Sequence, residues 1–387
     1  MKRTRRQQQG YVFRKGSVWY LRYYDHVLGA DDQPTVQQKC RKLADATGQY
    51  RTKQAARELA SEFLRPFNDG TTTPDSSMTL EQFVESCYLP HVKEHKRLST
   101  HKGYSNMWTK HLKSRAAIRL RDIRTVEAEN LMKDVARGGT LSKLSLAHIR
   151  SFLSGAFRFA RRQGVLRTEN PIRDVVLPKA RAAVETYAYS LEEIMQMLLV
   201  IPEPAATVVA TAAFTGARRG EIRGMLWENY DGQQIRVTQS IFRGHIDEPK
   251  TAKSKAPVPV IAPLATFLEN HRRVVGNPTA GLIFQSPTGA SLDLAWLARK
   301  VIRPALAAAR LEWHGWHAFR RGLATNLYRL GVPDKTIQAV LRHSNLSTTM
   351  NVYVKSVAAD ATAAMRVFEG ICNQHATAAK KAAHQLM

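Results

Sequence analysis

The 387-residue chain is 44% hydrophobic and sets 58 lysines and arginines against 32 aspartates and glutamates, for a formal charge of +26. That apolar fraction excludes a wholly disordered chain, and the length suits two or three domains. The charge points to a polyanionic partner, most commonly nucleic acid, with an adhesive or ribosome-associated basic protein as the plain alternative. The excess is not one tail: residues 1–70, 71–178 and 179–387 carry +7, +9 and +10. Each segment is therefore suited to lying along a phosphate backbone. Cys40, Cys87 and Cys372 are far apart and share no ligand spacing, as expected of a reducing compartment and of a chain without a metal site. Basic Met1–Arg6 runs into polar Gln7–Gln9, so no signal peptide is expected. The longest apolar run, Ala205 to Gly216, is too short for a bilayer. A soluble, cytoplasmic protein with no membrane partner is the expectation.

The first segment, 1–70, reads as a small β-sheet followed by a helix. Trp19, Leu21 and Tyr23 alternate with Tyr20, Arg22 and Tyr24 after a turn at Arg14-Lys15-Gly16-Ser17. Val36 to Leu43 offers a further strand, and alanine-rich Thr52 to Leu64 has helical periodicity. Asn68–Ser77, rich in Asp, Gly, Thr, Pro and Ser, reads as a linker. The second segment, 71–178, is predicted wholly helical, over Thr79–Tyr88, Ser99–Leu112, Thr125–Val135 and Ser145–Gln163. In the last of these Leu146, Ile149, Leu153, Ala156 and Ala160 share a face. Arg150, Arg158, Arg161 and Arg162 lie mostly off it, as suits either a phosphate backbone or a solvated surface. The third segment, 179–387, is predicted mostly helical with one interruption. Ile235-Arg236-Val237 and Val258-Pro259-Val260 bracket a polar stretch, read as a β-hairpin or small sheet with a basic loop. The fold class expected is mainly α with small β elements.

Phosphodiester transfer needs a nucleophile, a positive cage around phosphorus and a proton for the leaving oxygen. Carboxylates are sparse in the third segment and form no cluster, which leaves arginine, whose planar fork matches phosphate and keeps its charge when desolvated. One candidate stands in Phe214-Thr215-Gly216-Ala217-Arg218-Arg219-Gly220-Glu221, where an apolar helix breaks and a new one begins. Glu221, one turn after Arg218, is placed to brace it. In His317-Ala318-Phe319-Arg320 the i,i+3 spacing puts an imidazole and a guanidinium on one helix face. The third stretch is Leu341-Arg342-His343-Ser344-Asn345-Leu346-Ser347-Thr348-Thr349-Met350-Asn351-Val352-Tyr353, with a histidine and a tyrosine on either side of a short polar link.

Taken in order, these three stretches resemble the catalytic boxes of tyrosine recombinases of the phage-integrase type. The resemblance covers the third segment closely and the helical second segment more loosely. It implies an arm-site DNA-binding domain in 1–70, a helical core-site DNA-binding domain in 71–178, and a mostly α catalytic domain in 179–387. It also implies that Arg218 and Arg320 clamp the scissile phosphate with help from His343. His317 would take or relay a proton, and Tyr353 would attack phosphorus to form a 3′-phosphotyrosyl link. The family's general-acid lysine lies in the β-hairpin, here Lys250 or, second, Lys253 of Pro249-Lys250-Thr251-Ala252-Lys253-Ser254-Lys255. No cofactor is implied, because the phosphotyrosine link conserves the energy of the broken bond.

Two positions depart from the family pattern. Arg321 stands where histidine is frequent and Arg342 where glycine is common, and each suggests an added phosphate contact or, for Arg342, an altered turn before His343. The resemblance further implies double-stranded DNA attachment sites as substrate, a homotetramer on DNA, accessory DNA-bending and directionality proteins, and a nucleoid-associated place in a bacterial cell. The tail after Phe368, alanine- and lysine-rich from Ala376 to Ala383, is either a helix packing on a neighbouring subunit or a frayed end. The rival functions are a type IB topoisomerase-like nicking-closing enzyme and a DNA-binding protein without catalysis.

Overall fold

In the computed structural model, which describes residues 7–29, 31, 33–182, 185–248 and 256–342, the chain divides into two units, Met1–Val184 and Glu185–Met387. The first unit opens with an antiparallel sheet of β1 (Tyr11–Lys15), β2 (Val18–Leu28) and β3 (Pro34–Asp45), in the order β1-β2-β3. Alternation along β2 buries Trp19, Leu21, Tyr23 and Val27 on one face, as side chains of period two must do. Helix α1 (Lys53–Asn68) covers that face with Ala56, Ala60 and Leu64. The side chain of Thr52 caps it, accepting from the Ala55 N–H at 3.2 Å.

The rest of the first unit is helical. It runs through α2 (Leu80–Phe83), a π turn (Val84–Tyr88), α3 (Leu89–His95), α4 (Leu98–Met107) with a π turn at Trp108–Leu112, α5 (Thr125–Ala136) and α6 (Lys143–Arg162). The predicted end at Tyr88 is corrected, because the helical path continues to His95 through Pro90. The Leu89 N–H bonds Val84 O, an i→i+5 widening of the kind at which helices accommodate a proline. The stripe predicted for α6 is buried around Phe152 and Phe157. Of its arginines, Arg158, Arg161 and Arg162 are exposed, whereas Arg150 is committed to Val175 O at 3.0 Å.

Asn68–Ser77, expected as a linker, begins with the last residue of α1 and also carries tertiary bonds: Thr73 Oγ1 donates to Val165 O at 2.6 Å, and Ser77 Oγ accepts from Leu28 N at 3.0 Å. Asp25, on the buried face of β2 and 1% exposed, is held by both terminal nitrogens of Arg121, at 2.9 and 2.5 Å.

The second unit is built around α8 (Ala205–Thr215), which follows α7 (Leu191–Val200). Ten of the eleven α8 residues are buried, as expected of a helix that is apolar all round. After α9 (Arg219–Arg223) come β4 (Gln234–Arg236), β5 (Ser240–Phe242), β6 (His245–Asp247) and β7 (Pro257–Pro259). The predicted small sheet is the β4–β7 pair with Ile235 opposite Val258, and a second hairpin, β5–β6, lies within it. Helices α10 (Ala262–Val274), α11 (Leu294–Leu297) and α12 (Arg303–Ala308) follow. Then α13 (Trp316–Arg329) and α14 (Asp334–Leu341) complete the described part. Trp227, Phe284 and Phe319 lie in the main core, and Ala324, Ile337 and Leu341 form a smaller cluster between α13 and α14. Among the described residues no helix is long and apolar enough to cross a membrane.

Candidate active site

The site begins where α8 stops. Gly216 caps that helix at φ +59, in the left-handed region that costs an L side chain about 1 to 2 kcal/mol. A Cβ there would lie 2.9 Å from Leu341 Cδ2 and 3.1 Å from Leu323 Cδ2, so a side chain would both strain the turn and press on two leucines. The break turns the chain so that Arg218, in extended conformation (φ −73, ψ 149), is the N-cap of α9.

Glu221 folds back over this cap. Its carboxylate accepts the Arg218 backbone N–H at 2.9 Å and Arg218 Nη1 at 2.8 Å. Its Oε2 also receives Arg342 Nη2 at 2.8 Å. Glu221 is 4% exposed. Burial pushes its carboxyl up, but Arg342 and then the Arg218 backbone and guanidinium outweigh that, so its pKa lies below the ordinary glutamate value. It stays an anion.

Arg320 rises from the first turns of α13 and is 3% exposed. Its Nη1 donates to Gly216 O at 2.6 Å, and its Nη2 donates to Leu341 O. One guanidinium thus ties together the end of α8, its own helix and the end of α14. Burial, then the neighbouring Arg218, brings its pKa down to about 9 against the pull of Glu221, which leaves it charged at neutral pH. His317 lies one turn earlier on α13 and is exposed. Lost hydration where it faces protein, followed by Arg320, Arg321 and Arg218, holds its imidazole below the ordinary histidine value. It is neutral at pH 7 and able to accept a proton.

The first two stretches singled out in the sequence and the start of the third, Leu341-Arg342, are therefore brought together, with Arg218, Arg320, His317 and Glu221 assembled. Lys250, Lys253, His343, Tyr353 and the tail from Ala376 to Ala383 lie outside the described residues. Residues 186–359, which include every one of the proposed catalytic positions, match the model of the phage integrase family.

The chain carries a phage integrase family domain over residues 186–359.

It is a site-specific tyrosine recombinase, an enzyme that cleaves and rejoins DNA strands. A tyrosine recombinase XerC-like protein of Caldanaerobacter subterraneus subsp. tengcongensis is 24% identical over 356 residues, 83% of this chain and 90% of that protein. The fold is that of the Tn1549 transposon integrase solved with transposon right end DNA, with a TM-score of 0.61 and 18% identity over 75% of this chain and 99% of that one. It is likewise that of the lambda integrase in a tetramer bound to a Holliday junction, with a TM-score of 0.56 and 19% identity over 90% and 96% of the two chains.

Both departures of this recombinase from the family pattern are accounted for by contacts inside the protein. Arg321 donates Nε to Tyr187 O at 2.6 Å, so that donor is committed to the fold. Arg342 is 2% exposed and faces Glu221, which corrects the expectation of an added phosphate contact from its side chain. Arg342 caps α14 at φ +54, the left-handed conformation that glycine adopts without strain, so no altered turn is seen at Arg342 itself, and His343 lies outside the described residues. Sequence reasoning identified Glu221 as a brace for Arg218 but missed that Arg342 shares it. The position of Arg342 directly before His343 was the available signal.

Proposed function

We propose that this recombinase acts on the attachment sites of a mobile element, integrating or excising it through a covalent tyrosine intermediate. The observation that carries the proposal is the assembly of Arg218 and Arg320, from separate stretches of chain, on a shared frame formed by Glu221, Gly216 O and Leu341 O. Two guanidiniums held in place before substrate arrives need no reorganisation as negative charge builds on phosphorus.

In the proposed reaction the scissile phosphate lies against Arg218 and Arg320, with His343 as a further donor. The Tyr353 hydroxyl gives its proton to neutral His317, and its oxygen bonds to phosphorus. The bond from phosphorus to the 5′ oxygen breaks, and Lys250 or Lys253 supplies that oxygen with a proton. What results is a 3′-phosphotyrosyl link and a free 5′-hydroxyl. Attack by the 5′-hydroxyl of a partner strand reverses the step, so resealing uses the bond energy already stored.

Residues 1–70 take the arm-site role, 71–178 the core-site role and 179–387 the catalytic role, and all three are basic. Double-stranded DNA as substrate and a homotetramer as the working assembly are supported by the relatives named above, one solved on transposon end DNA and one as a tetramer on a Holliday junction. Accessory bending and directionality proteins would complete the reaction on a bacterial nucleoid.

The test is a duplex containing the attachment site with a nick near the cleavage position, so that the short 5′-hydroxyl fragment escapes. The wild-type protein should give a denaturation-resistant protein–DNA adduct, and Tyr353→Phe should give none. A wild-type protein that binds the site without an adduct would be a DNA-binding protein without catalysis. Nicking and closing without strand exchange would indicate a topoisomerase-like enzyme.

A further inference from the structure

We infer that Arg342 is a positioning residue for DNA cleavage: through Glu221 it holds the Arg218 guanidinium in place for the phosphate. The inference rests on the reading of Arg218 as a phosphate clamp.

Three observations carry it. First, Arg342 occupies a backbone position that penalises any side chain, with φ +54 and ψ 42. Its own N–H bonds Ala339 O at 3.0 Å, a capping bond that glycine would make equally well. The turn does not need an arginine. Second, the side chain is directed inward, 1% exposed, and bonds Oε2 of Glu221 at 2.8 Å while Arg218 Nη1 bonds Oε1 at 2.8 Å. One buried carboxylate is therefore gripped through both oxygens, from two stretches of chain. Without Arg342, Oε2 would keep the Arg218 backbone N–H but lose a full positive charge, and a buried carboxylate so deprived tends to neutralise. A neutral Glu221 would hold the Arg218 guanidinium less firmly. Third, Arg342 immediately precedes His343 in the sequence. The same residue therefore connects the frame of the arginine clamp to the start of the third box.

The charge balance argues in the same direction. Arg218, Arg320 and Arg342 face the single carboxylate of Glu221, and Arg342 is among the groups that bear on Arg320. The cluster thus keeps a positive surplus for a phosphate where an arginine-to-glycine change would reduce it.

The experiment compares wild type, Arg342→Gly, Arg342→Lys, Glu221→Gln and the double variant Arg342→Gly with Glu221→Gln. Three quantities are read: melting temperature, affinity for the attachment-site duplex, and the single-turnover rate of adduct formation on the nicked duplex. Arg342→Gly should fold, because glycine relieves the left-handed turn, and should bind duplex within about threefold of wild type, since many other cations hold the backbone. Its adduct should form about tenfold or more slowly, as expected when a clamp loses its alignment. Arg342→Lys should recover part of that rate, and millimolar guanidinium should raise the rate of Arg342→Gly. In the Glu221→Gln background the same change should cost about twofold at most, because the two residues act as one unit.

A wild-type rate in Arg342→Gly would overturn the inference, as would an equal loss in both backgrounds. Should Arg342→Gly not fold, Arg342→Gln takes its place with the same outcomes. If wild type forms no adduct, the proposed enzymatic reading fails, and orthovanadate binding to the DNA-free protein still decides the role of Arg342. Wild type should then bind orthovanadate about tenfold more tightly than Arg342→Gly. Equal affinity, or none in either protein, would overturn it.

Discussion

Arg218 and Arg320 share a proposed task but rest on different supports. The Arg218 side chain is 38% exposed and shares Glu221 with Arg342, so Arg218→Ala removes a partly solvated pair and should cost about 1 kcal/mol or less. Arg320 is buried against two carbonyls. Arg320→Ala leaves Gly216 O and Leu341 O without this donor and should cost about 3 kcal/mol. Urea titration should separate the two variants, although adduct formation should be abolished in both and most DNA affinity kept. Equal stability losses would show that Arg218 is as structural as Arg320. His317 allows a prediction in pH. Its pKa is lowered from 6.5, so the neutral, proton-accepting form persists below that value and is lost only when the medium becomes more acidic still. The acid limb of the cleavage rate should therefore lie below pH 6.5 and disappear in His317→Gln. A limb above 6.5 would mean that another group is titrating.

The break between α8 and α9 is the element on which the site depends. Its αL glycine lets the chain turn sharply enough to put Arg218 at a helix N-cap while the carbonyl of the same glycine receives Arg320. Gly216→Ala adds a methyl group 2.9 Å from Leu341 Cδ2 in a conformation that alanine resists. It should cost about 2 kcal/mol and slow cleavage further by shifting the Arg320 acceptor. Thermal melts alongside adduct rates test this, and a fully stable, fully active variant would refute it. The elements themselves were largely readable: the helix predicted over Thr125–Val135 is Thr125–Ala136, and alternation along β2 appears as expected. The reading failed at Leu89-Pro90, where a π turn keeps a helix going that local rules would end.

At the scale of the molecule, charge and ion pairing have separate roles. The formal charge of +26 suits a DNA-binding enzyme through the many phosphates it can neutralise. The Asp25–Arg121 pair instead serves the interior of the first unit, where the β-sheet segment meets the helical one. Asp25 interrupts an otherwise apolar face of β2 and is tolerated because Arg121 supplies both of its hydrogen bonds. Asp25→Ala would leave a mostly buried guanidinium uncompensated, at a cost of about 3 to 5 kcal/mol. Limited proteolysis should then show faster cutting within residues 69–77, with the second unit still folded. An unchanged cleavage pattern would mean that the pair contributes little to holding the segment.

Local sequence determined what depends on neighbours along the chain. Periodicity placed most helices, alternation placed the first sheet, and the order of the boxes around Arg218, His317, Arg320, His343 and Tyr353 pointed to a recombinase. Even the bond between Arg218 and Glu221 was legible, because residues three apart share a helix face. What only the tertiary structure decided depends on residues distant in sequence. Asp25 meets Arg121, Arg320 reaches the carbonyls of Gly216 and Leu341, and Arg342 turns inward to Glu221. No local pattern predicts these, since a buried charge is stable only when the fold delivers its partner. The direction in which Arg342 points, toward a carboxylate rather than toward DNA, was settled by that long-range pairing.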